Sequence, residues 1–217
     1  GSLALHPKGL MAVEHYLVVR NLMYRSVYNH RLNVVCNWLL TRSIAVARQL
    51  GPGQVWADAV MQRWLWHPDD LSLDDFLGND DHRTGYHLQR WREDGPLPLQ
   101  ELCTRVLDRR LLKATDVSRL SHQRRLELLA LAQRLSNQEG MNAELCCGLQ
   151  SQQNRGYHPY RGGLRLWDGH HLTALEQRSP LVESLSTARE SAWLIHPAEI
   201  TKALRGQLDV EERNNPA

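Results

Sequence analysis

Four polar side chains, Arg20, Tyr24, Tyr28 and Arg31, recur at spacings of three and four in a stretch that is otherwise largely apolar. At 100° per residue the spacing predicts a helix, with Leu10, Val13, Leu17, Tyr24, Tyr28, Arg31, Val35, Leu39 and Val46 on one face and Arg20 beside it. A second apolar set, Val19, Met23, Val27 and Val34, lies to the side and behind, the pattern of a helix buried on more than one side. A guanidinium in such surroundings must meet a carboxylate, a phosphate or water. Two readings stay open. In one, the arginines pair with Asp or Glu and the tyrosines are core residues whose hydroxyls find backbone acceptors. In the other, the face is one wall of a cleft for a phosphorylated ligand, with arginines on the phosphates and tyrosine rings against a sugar or base.

No other cluster makes a comparable case. Eleven histidines invite a metal reading, but His15 and His30 are too far apart on a helix to share an ion. His82 and His87 fall about 140° apart on a helix, and His170-His171 sits beside a turn dipeptide. The pairs Asp69-Asp70, Asp74-Asp75 and Asp80-Asp81 have no calcium-loop order, and capping of the helices that follow is the expected role of Asp74-Asp75 and Asp80-Asp81. Cys36, Cys103, Cys146 and Cys147 have neither disulfide-framework nor zinc spacing, so free, partly buried thiols in a reducing compartment are expected. The chain contains no His-Glu-x-x-His, Gly-x-Ser-x-Gly, Walker-type loop or Cys-x-x-Cys. The residues alone supply a ligand wall and no catalytic centre.

What must position that wall is an ordinary globular chain. Its 217 residues are 42% hydrophobic and 23% charged, with a formal net charge of +2. That balance argues against a nucleic-acid or membrane surface. No apolar run approaches 18 residues and no charged start precedes an apolar h-region, so neither a membrane span nor a secretory signal is expected, and the location expected is cytoplasmic.

In chain order, Pro7 opens the long segment, which should run as one helix from Leu10 to Gly51-Pro52-Gly53. A shorter helix over 55–66 closes at His67-Pro68, and a helix through His87 to Trp91 stops at Gly95-Pro96. Pro98 opens another, with Leu99, Leu102, Val106 and Leu107 inward, and 111–115 is extended. An amphipathic helix follows over 121–136, carrying Leu126, Leu129, Ala130 and Leu135. Glu144 to Leu149 reads as a strand and Ser151 to Gly163 as an exposed loop. A hairpin turns at Asp168-Gly169, between 164–167 and 171–175. Ser179-Pro180 opens a short helix, 193–195 forms a strand, and Pro197 opens a last helix before a polar tail. The fold class is therefore mainly α, followed by a small α+β region.

Several of these stretches carry a family resemblance. Ala4-Leu5-His6-Pro7-Lys8-Gly9, then Arg20 through Arg31, then Leu73-Asp74-Asp75, Asp80-Asp81, Trp91 and Leu107 to Lys113 resemble the HD-superfamily deoxynucleoside triphosphate triphosphohydrolases. That family includes bacterial dGTPase-like proteins and the vertebrate SAM-and-HD-domain enzyme. More loosely, 164–179 and 193–197 are similar to its C-terminal α+β region. The resemblance implies a helical C-terminal half of an HD-domain core over 1–115, an α+β region over 116–210 and a flexible tail over 211–217.

It also implies roles. Arg20 matches an arginine on the substrate triphosphate, Tyr28 a tyrosine packed on the deoxyribose, and Tyr24 a pocket position that is histidine in the vertebrate enzyme. Lys8, His30 and Arg31 match positions of oligomer or regulatory nucleotide contacts, although Ala12 replaces an asparagine used there. The family's metal ligands, a His, a His-Asp dipeptide and a later Asp, lie N-terminal to the matched segment, and no His-Asp dipeptide occurs in this chain. The expectation is thus a part of a metal-dependent hydrolase that yields deoxynucleoside and triphosphate, a homo-oligomer whose divalent metal ion belongs to the longer enzyme. On its own this part would be inactive. The alternative is a non-catalytic nucleotide-sensing or oligomerisation module.

Overall fold

The computed structural model describes residues 4–159 and 163–214, with side chains to 207. The chain is mainly helical. The long N-terminal stretch, expected as one helix, is two: α1 (Leu10–Met23) and α2 (Arg31–Leu50), separated by a π turn over Tyr24–Tyr28. The sequence carries no glycine or proline to announce this break. Asparagine makes it instead, because its side chain competes for backbone partners. The Asn29 N–H donates to Tyr24 O at 2.8 Å, a five-residue closure, and the Asn33 side chain donates to Val27 O at 2.7 Å.

Four helices follow: α3 (Ala59–Trp66), α4 (Leu73–Gly78), α5 (Asp81–Asp94) and α6 (Leu97–Leu107). Their starts are written in side chains. Asp58 caps α3, Asp80 caps α5, and Ser72 with Asp75 forms a capping box on α4. Of the acidic pairs, Asp75 is thus the third residue of its helix rather than the cap itself. Gly95 ends α5, its N–H on Trp91 O at 3.2 Å.

The remainder mixes strands with helices: β1 (Lys113–Asp116), α7 (His122–Gln138), α8 (Ala143–Cys146), β2 (Gly148–Asn154), β3 (Arg165–Trp167), β4 (Leu172–Ala174), α9 (Leu175–Arg178), α10 (Pro180–Ser186), β5 (Arg189–His196) and α11 (Thr201–Asn214). One sheet has the order β1-β5-β2; the other is the antiparallel pair β3-β4, with Leu166 opposite Thr173. Its turn is held by Asp168, whose Oδ1 accepts from His170 N and His171 N at 2.9 and 2.8 Å while Gly169 supplies a φ of 103°. Those bonds hold the Asp168 carboxyl below its usual range.

Several boundaries and one face differ from expectation. Residues 144–149 are the end of α8 and the start of β2, and β2 extends to Asn154 through the expected loop. Of that loop, 160–162 lie outside the described residues. The inward face of α7 is Arg125, Leu128, Ala132 and Ser136, not Leu126, Leu129, Ala130 and Leu135. Small residues let the backbone approach closely, and Ser136 Oγ meets Cys147 Sγ at 3.1 Å. Helix α11 begins at Thr201, four residues after Pro197, and continues to Asn214 through the start of the expected tail, while 215–217 lie outside the described residues.

The chain forms two compact units, residues 1–33, 116–119 and 151–193 in the first, and 34–115, 120–150 and 194–217 in the second. Each unit collects non-consecutive stretches of the chain. The first is built on Leu17, Tyr157, Leu166, Leu175 and Val182, with Leu5, Leu10, Val13 and Leu185 against them. The second buries Leu39, Met61, Trp91, Leu99, Leu102, Leu128, Leu194, Ile195 and Leu204. Cys103, Cys146 and Cys147 are buried there as free thiols and Cys36 is half-buried. Among the described residues no helix is long and apolar enough to cross a membrane.

Candidate functional site

The row Arg20, Tyr24, Tyr28 belongs wholly to the first unit, so its geometry can be built from that unit's core outward. Leu10, Val13 and Leu17 anchor α1 to the core. Ser179 Oγ, which also caps α10, donates to Glu14 Oε1 at 2.5 Å and ties α1 to that helix start. Arg20 stands one turn beyond Leu17, half-buried at the edge of the packed region.

Its guanidinium makes two contacts. Nη1 donates to Gly156 O at 3.2 Å, and the planar group lies over the Tyr24 ring, 4.6 Å from the centroid. A Cβ on Gly156 would come 2.8 Å from Leu185 Cδ2 and 3.1 Å from Asn21, so those side chains would have to shift to admit one. Among the described residues Arg20 has no carboxylate partner. The expected Arg–carboxylate pair is therefore not what holds it.

The tyrosines are not core residues either. Tyr24 is 43% exposed and Tyr28 55%, and among the described residues neither hydroxyl has a protein partner. Their rings pack on one another, centroids 5.0 Å apart at 45°. The π turn brings this about, since it carries both residues, and Asn29 secures its end through Nδ2 to Asn154 Oδ1 at 2.6 Å. Such turns are rare and frequent at functional sites. The row is thus a cation over the first of two solvent-facing rings that meet at a tilt, with guanidinium hydrogens left for an acceptor. Chemically it can bind an anion that carries a flat or puckered ring. It holds no nucleophile and no general base.

Arg31, on the same predicted face, is exposed at the start of α2 beyond the break, and the structure does not join it to the row. Lys8 and His30 are exposed too; His30 Nδ1 accepts from Leu32 N at 3.3 Å, an ordinary helix-start contact. Among the described residues no three His, Cys, Asp or Glu side chains converge as a metal centre. What the sequence reading missed is Asn21 and Arg25, about 100° round from the row. They line a cavity of about 420 Å³ with Arg119, Asn154 and Arg189. No periodicity links residues so far apart, and only the fold assembles them.

No family model matches the sequence. The uncharacterized protein YwfO of Bacillus subtilis strain 168 is 24% identical over 199 residues, covering 88% of this chain and 45% of its own length. A crystal structure of a phosphohydrolase from Bacteroides thetaiotaomicron superposes with a TM-score of 0.70 at 19% identity, over 89% of this chain and 51% of that one. The chain shares that protein's fold. A hypothetical protein from Aquifex aeolicus is also similar, with a TM-score of 0.61 at 15% identity, over 94% of this chain and 47% of that one. The chain therefore spans about half the length of the proteins it resembles. At these identities the likeness establishes architecture, and the chemistry must come from the row itself.

Proposed function

We propose that this chain supplies the substrate-facing row of a phosphohydrolase acting on deoxynucleoside triphosphates and releasing deoxynucleoside and triphosphate. The observation that carries the reading is Arg20, held over Tyr24 by Gly156 O and lacking a carboxylate partner among the described residues. Arg20 donates charge-assisted hydrogen bonds to phosphate oxygens. Tyr28 packs on the deoxyribose, where a 2′-hydroxyl would clash, and Tyr24 sets the distance between arginine and sugar. Lys8, His30 and Arg31 serve contacts between copies of a homo-oligomer or with a regulatory nucleotide. The shared fold with a phosphohydrolase supports the reaction class.

A divalent metal ion belongs to this reading, but the described residues do not fit one, since no donor group of three converges. No step attributed to this chain runs through a metal. By itself it is expected to bind substrate and not to turn it over.

Arg20→Ala in a form of the protein that turns over substrate should lower kcat/KM by about one to two decades for every deoxynucleotide alike, the loss of a charge-assisted bond worth about 1.5–3 kcal/mol. Tyr28→Ala should instead narrow the ratio of kcat/KM for dGTP over GTP. An unchanged ratio in a folded Tyr28 variant would remove the sugar contact, and the reading with it.

A further inference from the structure

We propose that the first unit holds a second site, on another side of α1 from the Arg20 row, that takes a small phosphorylated anion. The cavity of about 420 Å³ brings Arg25 from the π turn together with Arg119 from the turn after β1 and Arg189 from the start of β5. All three are exposed, and among the described residues none has an ion-pair or hydrogen-bond partner. Glu190 also lines the cavity. Three guanidinium groups against one carboxylate leave a local excess of two positive charges in a chain whose whole formal excess is +2.

The segments that carry these arginines are fixed. Val117 N donates to Ala192 O and Ala192 N to Ser118 Oγ, both at 2.9 Å, while Asp116 Oδ1 accepts from Ser118 N at 2.9 Å. Arg119 follows directly on that turn, and Arg189 lies three residues before Ala192. Asn154 is set by Asn29, whose Nδ2 occupies the Asn154 oxygen and leaves the Asn154 amide hydrogens to donate. Planar guanidinium forks and an amide donor around one concavity match the several acceptor oxygens of a phosphate chain. The volume falls in the range of about 300–1,000 Å³ usual for small-ligand cavities. Neither Arg20 nor the two tyrosines line it, so the site stands apart from the role proposed for that row.

Inorganic tripolyphosphate, dGTP, GTP and deoxyguanosine serve as probes in calorimetric titrations of the chain. Tripolyphosphate is expected to bind, deoxyguanosine is not, and the double variant Arg119→Ser/Arg189→Ser should weaken tripolyphosphate binding by about tenfold or more. Arg165→Ser, an exposed change on β3 outside both the cavity and the row, should leave that binding within about twofold. If dGTP and GTP bind alike and tighter than tripolyphosphate, the phosphate chain comes on a nucleotide; if they bind no tighter, the free anion is the ligand. Either supports the site. No tripolyphosphate binding at millimolar concentration would overturn it. So would binding that survives the double variant and is lost in Arg20→Ala, because the anion then sits on the row.

Discussion

In the second unit Arg83 reaches Asp58 at 3.3 Å, Arg90 reaches Asp94 at 3.1 Å, Arg92 reaches Asp108 at 3.2 Å and Arg105 reaches Glu101 at 3.0 Å. Arg63 pairs with the largely buried Asp75, whose carboxyl is held low by Arg63 and Ser72. In the first unit Arg20, Arg25, Arg119 and Arg189 have no such partner among the described residues. These five arginines of the second unit are therefore held in ion pairs, whereas these four of the first are left presented. A net charge of +2 averages over the two and hides the difference. Local charge, not the total, marks the surface on which an anion can settle.

The comparison predicts that the two units respond differently to loss of an aromatic ring. Trp91 is 1% exposed and donates Nε1–H to Trp56 O at 2.7 Å. Trp91→Ala should cost about 3–5 kcal/mol in urea unfolding, from lost packing and an orphaned carbonyl. Tyr28→Ala, at an exposed ring without a hydroxyl partner, should stay within about 0.5 kcal/mol. If the Tyr28 change cost as much as a core deletion, the row would be structure, and the contrast would fail.

A second contrast lies in pH. His196 is fully buried in the second unit, Nδ1 at 2.8 Å from Pro197 O and Nε2 at 2.9 Å from Thr115 Oγ1. Burial pushes its pKa below the ordinary 6.5, with Arg205 and Lys113 adding to the effect against the Pro197 bond, which raises it. The unfolded chain takes up a proton near 6.5 that the folded chain refuses, so folding weakens as pH falls below about 6.5 and is unaffected by this group above it. Stability measured from pH 7.5 to 5 should decline less steeply in His196→Gln than in the parent chain. Equal slopes would show that the imidazole titrates freely in the folded state.

How much of this the sequence announces depends on distance along the chain. Helices α3, α5 and α6, the hairpin at Asp168-Gly169 and the start of α10 at Ser179-Pro180 were legible because caps, turns and stops are local. The break at Asn29 was not, since asparagine is tolerated inside helices and only the bonds of Asn29 to Tyr24 and Asn154, with that of Asn33 to Val27, reveal a turn. Hydrophobicity misplaced the face of α7, where small residues mark the contact. Arg20, Tyr24 and Tyr28 were found by spacing, but their surroundings were expected to be a buried stripe. The tyrosines instead face solvent, and the acceptor that holds Arg20 is a backbone carbonyl, which no side-chain pattern records.

The smallest expected effect concerns how Arg20 is held. An ion pair such as Arg105–Glu101 depends on charge at both ends, whereas Arg20 rests on a ring and a neutral carbonyl. A double-mutant cycle of Arg20→Ala and Tyr24→Ala isolates the ring contact, which at an exposed site should be worth about 0.5–1 kcal/mol. Tyr24→Phe in place of Tyr24→Ala should preserve most of the coupling, because the ring face and not the hydroxyl meets the guanidinium. Moderate salt should change the coupling little, since one partner is uncharged. A coupling near zero would mean that Gly156 O alone orients the guanidinium, and Tyr24 would then be free to move with a ligand. A coupling that vanished in salt would instead point to a carboxylate near Arg20 and erase the distinction between its unit and the other.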